Sequence, residues 1–322
     1  MRFDAEGQTP YQNVMPRFSH AWKMFTLFGW MATAPSGAET FSVGSYNLEN
    51  YLDVAIETRR AKPPEAKGRV REMIRALDAD VIGLQEMGTT NALLELRASL
   101  KSDGLDYPHW EHVTGRDPAI HVAILSKFPI ISRRPHTNDN FLLHGRRFQV
   151  SRGFVEVDIR VNPTYEFTLL VAHLKSKRPV PEADQAELRE EEAKILREKV
   201  SSRLAANRNA NLVVIGDLND TKDSKPVRIV IGRGADGLVD TRPAERNGDS
   251  RAPPRPGWAP MNISWTYFYG KEDRYERIDY LLLSRGMARE WDEANTFVLA
   301  APRWGEASDH RPIKATFSAG DR

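Results

Sequence analysis

Apolar residues recur along this chain with two periods, and each change of period marks an element. "FSVGSYNLENY" alternates from Phe41 to Tyr46 and then turns polar, which predicts a strand with Asn47 and Glu49 at its exit. From Ala66 to Leu77 the apolar Val70, Met73, Ile74 and Leu77 fall at helical spacing. "ADVIGLQE" reads as a short buried strand that ends in a carboxylate, Glu86, and Asn91 to Leu100 as a second helix. "HVAILSKFPI" is strand-like from Val122 to Leu125. "GFVEVDIRV", the turn "NPT" and "YEFTLLVAHLKSK" predict a hairpin whose second arm ends at His173. A charged helix from about Ala183 to Ala206 carries Ala193, Leu196, Val200 and Leu204 as its inward stripe, and its acidic first half and basic second half complement the helix dipole. Then come "NLVVIGD", a loop rich in Gly, Pro and Arg to about Gly257, "SWTYFY", "RIDYLLLS" and "SDHRPIKATF". Strands interleaved with helices and hairpins, without an internal repeat, predict an α/β fold in which two mixed sheets pack face to face with helices outside.

Six of these strand ends or turns carry the same kind of hard, oxygen-or-imidazole side chain: Asn47, Glu86, His173, Asp217 with Asn219, Asp279, and Asp309 with His310. Asp and Asn suit ordinary turns, because their short side chains bond nearby backbone. The alternative is a site, since ligands of open α/β sheets gather outside the carboxyl ends of strands. Recurrence favours the site, because carboxylates at buried strand ends are costly unless paired or metal-bound.

The motifs "YNLEN", "IGLQE", "AILSKFPI", "AHLKSK", "IGDLND", "RIDYLLLS" and "SDHRPI", in this order and spacing, make residues 41 to 318 resemble the DNase I-like endonuclease/exonuclease/phosphatase superfamily, in its bacterial secreted form. The resemblance implies a four-layer sandwich of two mixed β-sheets flanked by helices, and metal-dependent cleavage of phosphate esters by activated water.

Phosphodiesters are anionic and repel nucleophiles, so their hydrolysis needs cations on the nonbridging oxygens, an activated water in line, and help for the leaving oxygen. Glu86 and Asn47 are the expected holders of Mg2+, for which Mn2+ can substitute, and by resemblance Asp309 lies near the same ion. A plain strand-end carboxylate bonded to a helix N-terminus is the other use open to Glu86. His310 is the candidate general base, and the aspartate of "RIDY", Asp279, orients its imidazole. The resemblance sets Asp217 against the attacking water or the leaving group and Asn219 against a phosphate oxygen. Whether Asp217 orients the nucleophile, donates a proton or holds a second metal stays open at this stage. Both should share one side of an extended backbone. His173 would donate to a nonbridging oxygen. Lys175, two beyond His173, is a phosphate contact by the same alternation, and Arg152 in "SRGF" is either a phosphate contact or a solvated arginine. Glu49 and Asp220 read as loop-capping residues, and His121 has no assigned role.

Composition narrows the chemistry. At 322 residues, 40% of them hydrophobic, the chain can bury one large catalytic domain, taken as residues 39 to 322. Cysteine is absent, so thiolate metal sites and cysteine nucleophiles are excluded and any metal is held by oxygen or imidazole. Residues 1 to 38 read as a signal peptide, with Arg17 and Lys23 ahead of a short apolar run and Ser36 and Ala38 before a cleavage point, or else as a disordered or helical extension. The signal reading implies a secreted or periplasmic protein. The run from Met24 to Ala34 is too short to span a bilayer.

Removing residues 1 to 38 leaves the net charge near zero, so there is no general polyanion-binding surface. Local clusters carry the substrate expectation: Arg133, Arg134, Arg146, Arg147 and Arg152, then Lys175, Lys177 and Arg178, all flanking the motifs. They point to nucleic acid as the substrate of a monomeric nuclease. The alternatives are a phosphomonoesterase, a phosphodiesterase acting on a lipid headgroup, and, from another class, a silent binding module. The last conflicts with the presence of every motif residue.

Overall fold

The computed structural model describes residues 39–247 and 262–321. In chain order its strands and helices are β1 (Thr40–Tyr51), α1 (Pro64–Leu77), β2 (Val81–Met87), α2 (Thr90–Ser102), β3 (His109–Val113), β4 (His121–Ser126), β5 (Ile130–Arg133), β6 (Asn140–Leu143), β7 (Arg146–Gln149), β8 (Phe154–Asn162), β9 (Tyr165–His173), α3 (Gln185–Ala206), β10 (Leu212–Asp217), α4 (Lys225–Ile231), β11 (Val239–Asp240), β12 (Ala244–Glu245), β13 (Tyr267–Tyr269), β14 (Arg274–Glu276), β15 (Asp279–Leu283), β16 (Trp291–Val298) and β17 (Ile313–Ser318). One sheet has seven strands in the order β12-β16-β17-β1-β2-β4-β3. The other has six, in the order β11-β15-β10-β9-β8-β5. Both are mixed: β1 runs parallel to β2 and β9 to β10, while β1 pairs antiparallel with β17 and β10 with β15.

Three buried clusters account for the layering. Phe41, Val43 and Val81 of the first sheet meet Val155, Val171, Ile215 and Leu281 of the second in a core between the sheets. Tyr46, Ile82 and Leu84 face outward to Ile74 and Leu77 of α1 and Leu93 and Leu96 of α2. On the other side Val214, Tyr280 and Leu282 face Leu196 and Val200 of α3 and Val227 and Val230 of α4. The result is helices, sheet, sheet, helices, the DNase I-like sandwich expected from the motifs. Close approach of the sheets depends on Gly83, where an added Cβ would lie 2.5 Å from Ile215 and 2.9 Å from Val171.

Local chemistry sets the helix starts. Pro64 opens α1 with φ already suited to a helix. Thr89, Asp184 and Ser224 cap α2, α3 and α4 with side-chain oxygens that accept N–H groups of the first turn. The loop expected up to Gly257 contains α4, β11 and β12, because "SKPVRIV" is too short to show a helical period although Ser224 caps it. β3, β5, β16 and the β6–β7 hairpin also lacked a clear period, their faces being only partly buried. The expected signal segment lies outside the described residues.

Candidate active site

The alternation that builds the inter-sheet core also aims the site. Along β10, Val213 and Ile215 point between the sheets, and the next residue of that row is Asp217. The same count along β9 leads from Leu169 and Val171 to His173, along β1 from Phe41 and Val43 through the buried Ser45 to Asn47, and along β15 from Leu283 and Leu281 back to Asp279. Four rows of apolar side chains thus end in polar ones at one rim of the sandwich. Register keeps them level, since Asp217 pairs with His173 on one side and with Asp279 on the other.

Asp217 is the point of convergence. Its Oδ2 accepts from Asn47 Nδ2 at 3.0 Å and lies 3.5 Å from His173 Nε2 and 3.8 Å from His310 Nε2. Its Oδ1 accepts the Asn219 N–H at 2.8 Å. His310 precedes β17, with its N–H donated to Ser308 Oγ, and that hydroxyl in turn donates to the carbonyl of Asn47 at 2.8 Å. His310 Nδ1 lies 2.8 Å from Asp279 Oδ2.

Burial makes these charges interdependent. Burial alone pulls the His310 imidazole down, but Asp279, by charge and hydrogen bond, and then Asp309 and Asp217 outweigh it and hold its pKa well above the ordinary value. Asp217 is pushed up to about 7 by burial and by Asp279, against the pull of His310 and the Asn219 and Asn47 donors. His173 is driven well below its ordinary value by burial, then by Arg152, His310, Arg59 and Lys175, and is neutral at pH 7. In the free protein His310 is thus held in its charged form, with the raised Asp217 carboxyl 3.8 Å from its Nε2.

Beside this group lies a second, more acidic one. Glu86 has φ 57° at a register irregularity in β2, and this bulge turns it out of the helix-facing row of Ile82 and Leu84. Its Oε2 accepts the N–H of Asn50 at 2.8 Å, and Glu49 and Asn50 also adopt positive φ, 47° and 55°. Asp309, 38% exposed, is nevertheless pushed up to about 7 by desolvation, opposed by His310 and reinforced by Glu49 and Glu86. Glu49 is raised by burial, with Glu86 adding and Lys62 opposing. Glu49 is thus a member of the acidic group and not only the loop cap expected from the sequence.

Lys62 stands within this group. Its buried ammonium donates to the Glu49 carbonyl at 2.9 Å and lies 3.8 Å from the Glu49 carboxylate. No sequence signal marked it, because a lysine in "RRAKPP" reads as a solvated loop.

Two sets of residues could hold a metal. Asp217, Asp279 and His310 offer ligand atoms within 4.8 Å of one another. In this set His310 Nδ1 is engaged by Asp279 at 2.8 Å, which leaves Nε2 on the side of Asp217. Glu86, Glu49 and Asp309 repel one another through space, and Asn47 Oδ1 accepts the Glu49 N–H at 3.0 Å; their oxygens do not draw together within 4.8 Å as those of the first set do, but this oxygen-only group is one whose repulsion a hard cation would relieve.

Several expectations need correction in their geometry. Asn219 is not placed by strand alternation, since β10 ends at Asp217 and Asn219 has φ 55°; a turn closes it onto Asp217, and its Nδ2 donates to the Leu174 carbonyl at 3.0 Å. Lys175 likewise lies beyond β9, and its Nζ donates to the carbonyls of Ser176 and Arg178, at 3.1 and 2.8 Å. Arg152 is not solvated: it is 4% exposed and donates to the same Leu174 carbonyl at 3.0 Å. Arg133 pairs with Glu111, and Arg134 with Glu156 and Asp158, so the basic cluster is split and these two serve β5 and β8. His121 packs against His112, ring centroids 5.2 Å apart, and is lowered to about 4 by burial. Tyr267, unmarked in the sequence, bridges to His310 and sets its ring 4.8 Å from the imidazole.

The fold is shared with solved structures. Truncated Caenorhabditis elegans TDP2 is 19% identical, with a TM-score of 0.57 over 87% of this chain and 98% of that one. Sphingomyelinase C from Streptomyces griseocarneus is 19% identical, with a TM-score of 0.57 over 87% and 100%. The human Nocturnin catalytic domain is 14% identical, with a TM-score of 0.58 over 87% and 95%. No curated protein sequence matches significantly. Residues 44–310 match the Endonuclease/Exonuclease/phosphatase family, and with that match, the two-sheet sandwich and the polar rim at its strand ends, the chain belongs to this family of phosphoesterase fold.

Proposed function

We propose that the protein is a divalent-metal-dependent phosphodiesterase whose substrate is a nucleic-acid strand. The observation that carries the chemistry is the convergence of Asn47, His173 and His310 on one carboxylate oxygen of Asp217, at 3.0, 3.5 and 3.8 Å. Around that point the protein offers a proton acceptor, two imidazoles and amide donors at the rim between the two sheets.

In this reading a water attacks phosphorus and passes its proton into the Asp217–His310 pair, while Asp279 keeps the imidazole oriented and stabilises its charged form. As the new P–O bond forms, the P–O bond to the leaving group breaks, and the proton held by the pair passes to the leaving oxygen. Neutral His173 donates to a nonbridging oxygen, and Asn219, closed onto Asp217, shapes the same pocket. Glu86, Asn47 and Asp309, joined by Glu49, would hold Mg2+ or Mn2+, which when bound supplies Lewis-acid stabilisation of the phosphate charge.

Nucleic acid is favoured by arginines that remain outside the ion pairs of the fold. Arg146 donates to the Glu182 carbonyl at 3.1 Å and lies over Phe148, and together with Arg147 it lines a cavity of about 420 Å3. The test is a substrate panel with Mg2+ or Mn2+: plasmid, single-stranded DNA, RNA, lipid phosphodiesters and a chromogenic monoester. Nucleic-acid affinity should fall with salt at a logarithmic slope of about −3 to −4, as for roughly four phosphate contacts. Replacing Arg146 and Arg147 with Ala should flatten that slope and leave a small chromogenic ester unaffected. Efficient cleavage of monoesters or lipid headgroups, with DNA and RNA ignored at low salt, would overturn the substrate and leave the phosphoesterase.

A further inference from the structure

A cavity of about 610 Å3 adjoins the rim where Asp217 lies, and it is lined by Arg59, Arg116, Arg152, Lys175 and Arg178. It touches the site at two points. Arg152 Nη1 and Asn219 Nδ2 donate to the same Leu174 carbonyl, each at 3.0 Å. Arg59 Nη1 donates to Asn50 Oδ1 at 2.7 Å, and the N–H of Asn50 goes to Glu86.

Of the carboxylates of this wall, Glu192 is taken up by backbone and hydroxyl donors and Asp117 faces Arg59 and Arg152. Glu192 takes the N–H and hydroxyl of Ser151 and the N–H of Lys175. Asp117 accepts the N–H groups of Ala119 and Ile120 and stands 3.5 Å from Arg59 and 3.7 Å from Arg152. Glu57 and Glu182 also border the cavity. The Nε of Arg152, the atom 3.7 Å from Asp117, is buried without a hydrogen-bond partner, and the Lys175 ammonium is bonded to carbonyl oxygens alone. Arg116 and Arg178 are exposed and have no carboxylate within 4.0 Å among the described residues. Burial, and then the repulsion of Arg152, lower Lys175 to about 8, against the pull of Glu192. Cations are crowded here beyond what the fold neutralises.

We infer that this cavity is a second anion subsite, which holds the phosphate next to the scissile one along a nucleic-acid strand. The inference rests on the phosphodiesterase reading above. The volume suits a nucleotide-sized group. Guanidinium groups match phosphate oxygens in pairs, so Arg59, Arg116 and Arg178 rank above the lysine as direct contacts. The strand has a continuation, because the cavity of Arg146 and Arg147 shares Arg116, Phe148, Gln149 and Glu182 with this one.

The test compares the full-length protein with its Arg116→Gln/Arg178→Gln double variant. In calorimetry under chelator, thymidine 3′,5′-bisphosphate should bind the parent protein about tenfold or more tighter than either thymidine monophosphate, and the double variant should lose that difference. With Mg2+ or Mn2+, a dinucleotide carrying one added terminal phosphate should be cleaved with higher kcat/KM than the bare dinucleotide, and only this gain should vanish in the variant. Turnover of bis(p-nitrophenyl) phosphate should be equal in both proteins. Circular dichroism checks the fold, and Arg178→Gln alone serves if the double variant unfolds. Equal binding of mono- and bisphosphate by the parent, or a gain retained in the variant, would overturn the subsite. Inositol 1,4-bisphosphate bound as tightly as the nucleotide would overturn its assignment to nucleic acid. Absence of any phosphodiester hydrolysis with either metal would instead refute the phosphodiesterase reading, an outcome separate from the binding result.

Discussion

Asn47 Nδ2 and Asp217 Oδ2 meet at 3.0 Å across the gap between the two sheets, 170 residues apart in the chain. The bond is buried and joins the end of an apolar row in β1 to the end of one in β10. It makes the distance between the sheets a determinant of the site, since a displacement of either would part the proton acceptor from the residues beside the acidic group.

Asp217→Asn and His310→Ala should each lower turnover by about 10³-fold or more, with melting temperature close to the parent's. Both residues stand at the rim and not within the apolar rows. Steady-state kinetics on a chromogenic diester, paired with thermal melts, checks this; near-normal rates in folded His310→Ala would sink the assignment.

Chelation should abolish activity, and Mg2+ or Mn2+ should restore it, because the oxygen set of Glu86, Glu49, Asp309 and Asn47 suits hard cations. Glu86→Gln should weaken metal binding measured by calorimetry. Unchanged affinity in that variant would move the ion to another set, such as Asp217, Asp279 and His310.

Stability should fall in acid through Glu156. Burial raises this carboxyl, but hydrogen bonds from His136, Arg134 and Arg203 prevail and lower it to about 2. A depressed carboxylate contributes stability above its ordinary pKa and loses it as pH falls toward the folded value, here between roughly 4.5 and 2. The contribution is of order 3 kcal/mol. Denaturant unfolding of Glu156→Gln should show a smaller loss than the parent over that range, and identical pH profiles would refute the role.

Gly216→Ala should destabilise the second sheet by about 3 kcal/mol or more. Gly216 has φ 135°, and a Cβ there would lie 1.9 Å from the carbonyl oxygen of Ala172 on β9. Thermal or denaturant unfolding of the variant tests it, and wild-type stability would contradict the strand contact.

Export is proposed from the sequence of residues 1 to 38. Mass spectrometry of protein recovered outside the cytoplasm should show a chain starting near Glu39. A cytoplasmic protein retaining Met24 to Ala34 would contradict it.

Much of this molecule was legible in one dimension. Alternation and helical spacing marked the strands and helices that bury both faces or one full stripe, such as β1, β2, β9, β10 and α1, because burial forces the period on the side chains. The polar residues that end those strands were legible for the same reason, as interruptions of an apolar row. Glu49 and Lys62 were not, since their place beside Glu86 and Asp309 follows from positive φ at Glu49, Asn50 and Glu86, which periodicity does not record. The basic run from Arg133 to Arg152 could not be sorted in the sequence either. Arg133 and Arg134 meet carboxylates on other strands, whereas Arg146, Arg147 and Arg152 line or border cavities, and only the pairing of distant segments determines which charges are neutralised. The identity of each chemical group is a property of the chain; its protonation, its partner and its exposure are properties of the packing, because each depends on distances between residues far apart in sequence.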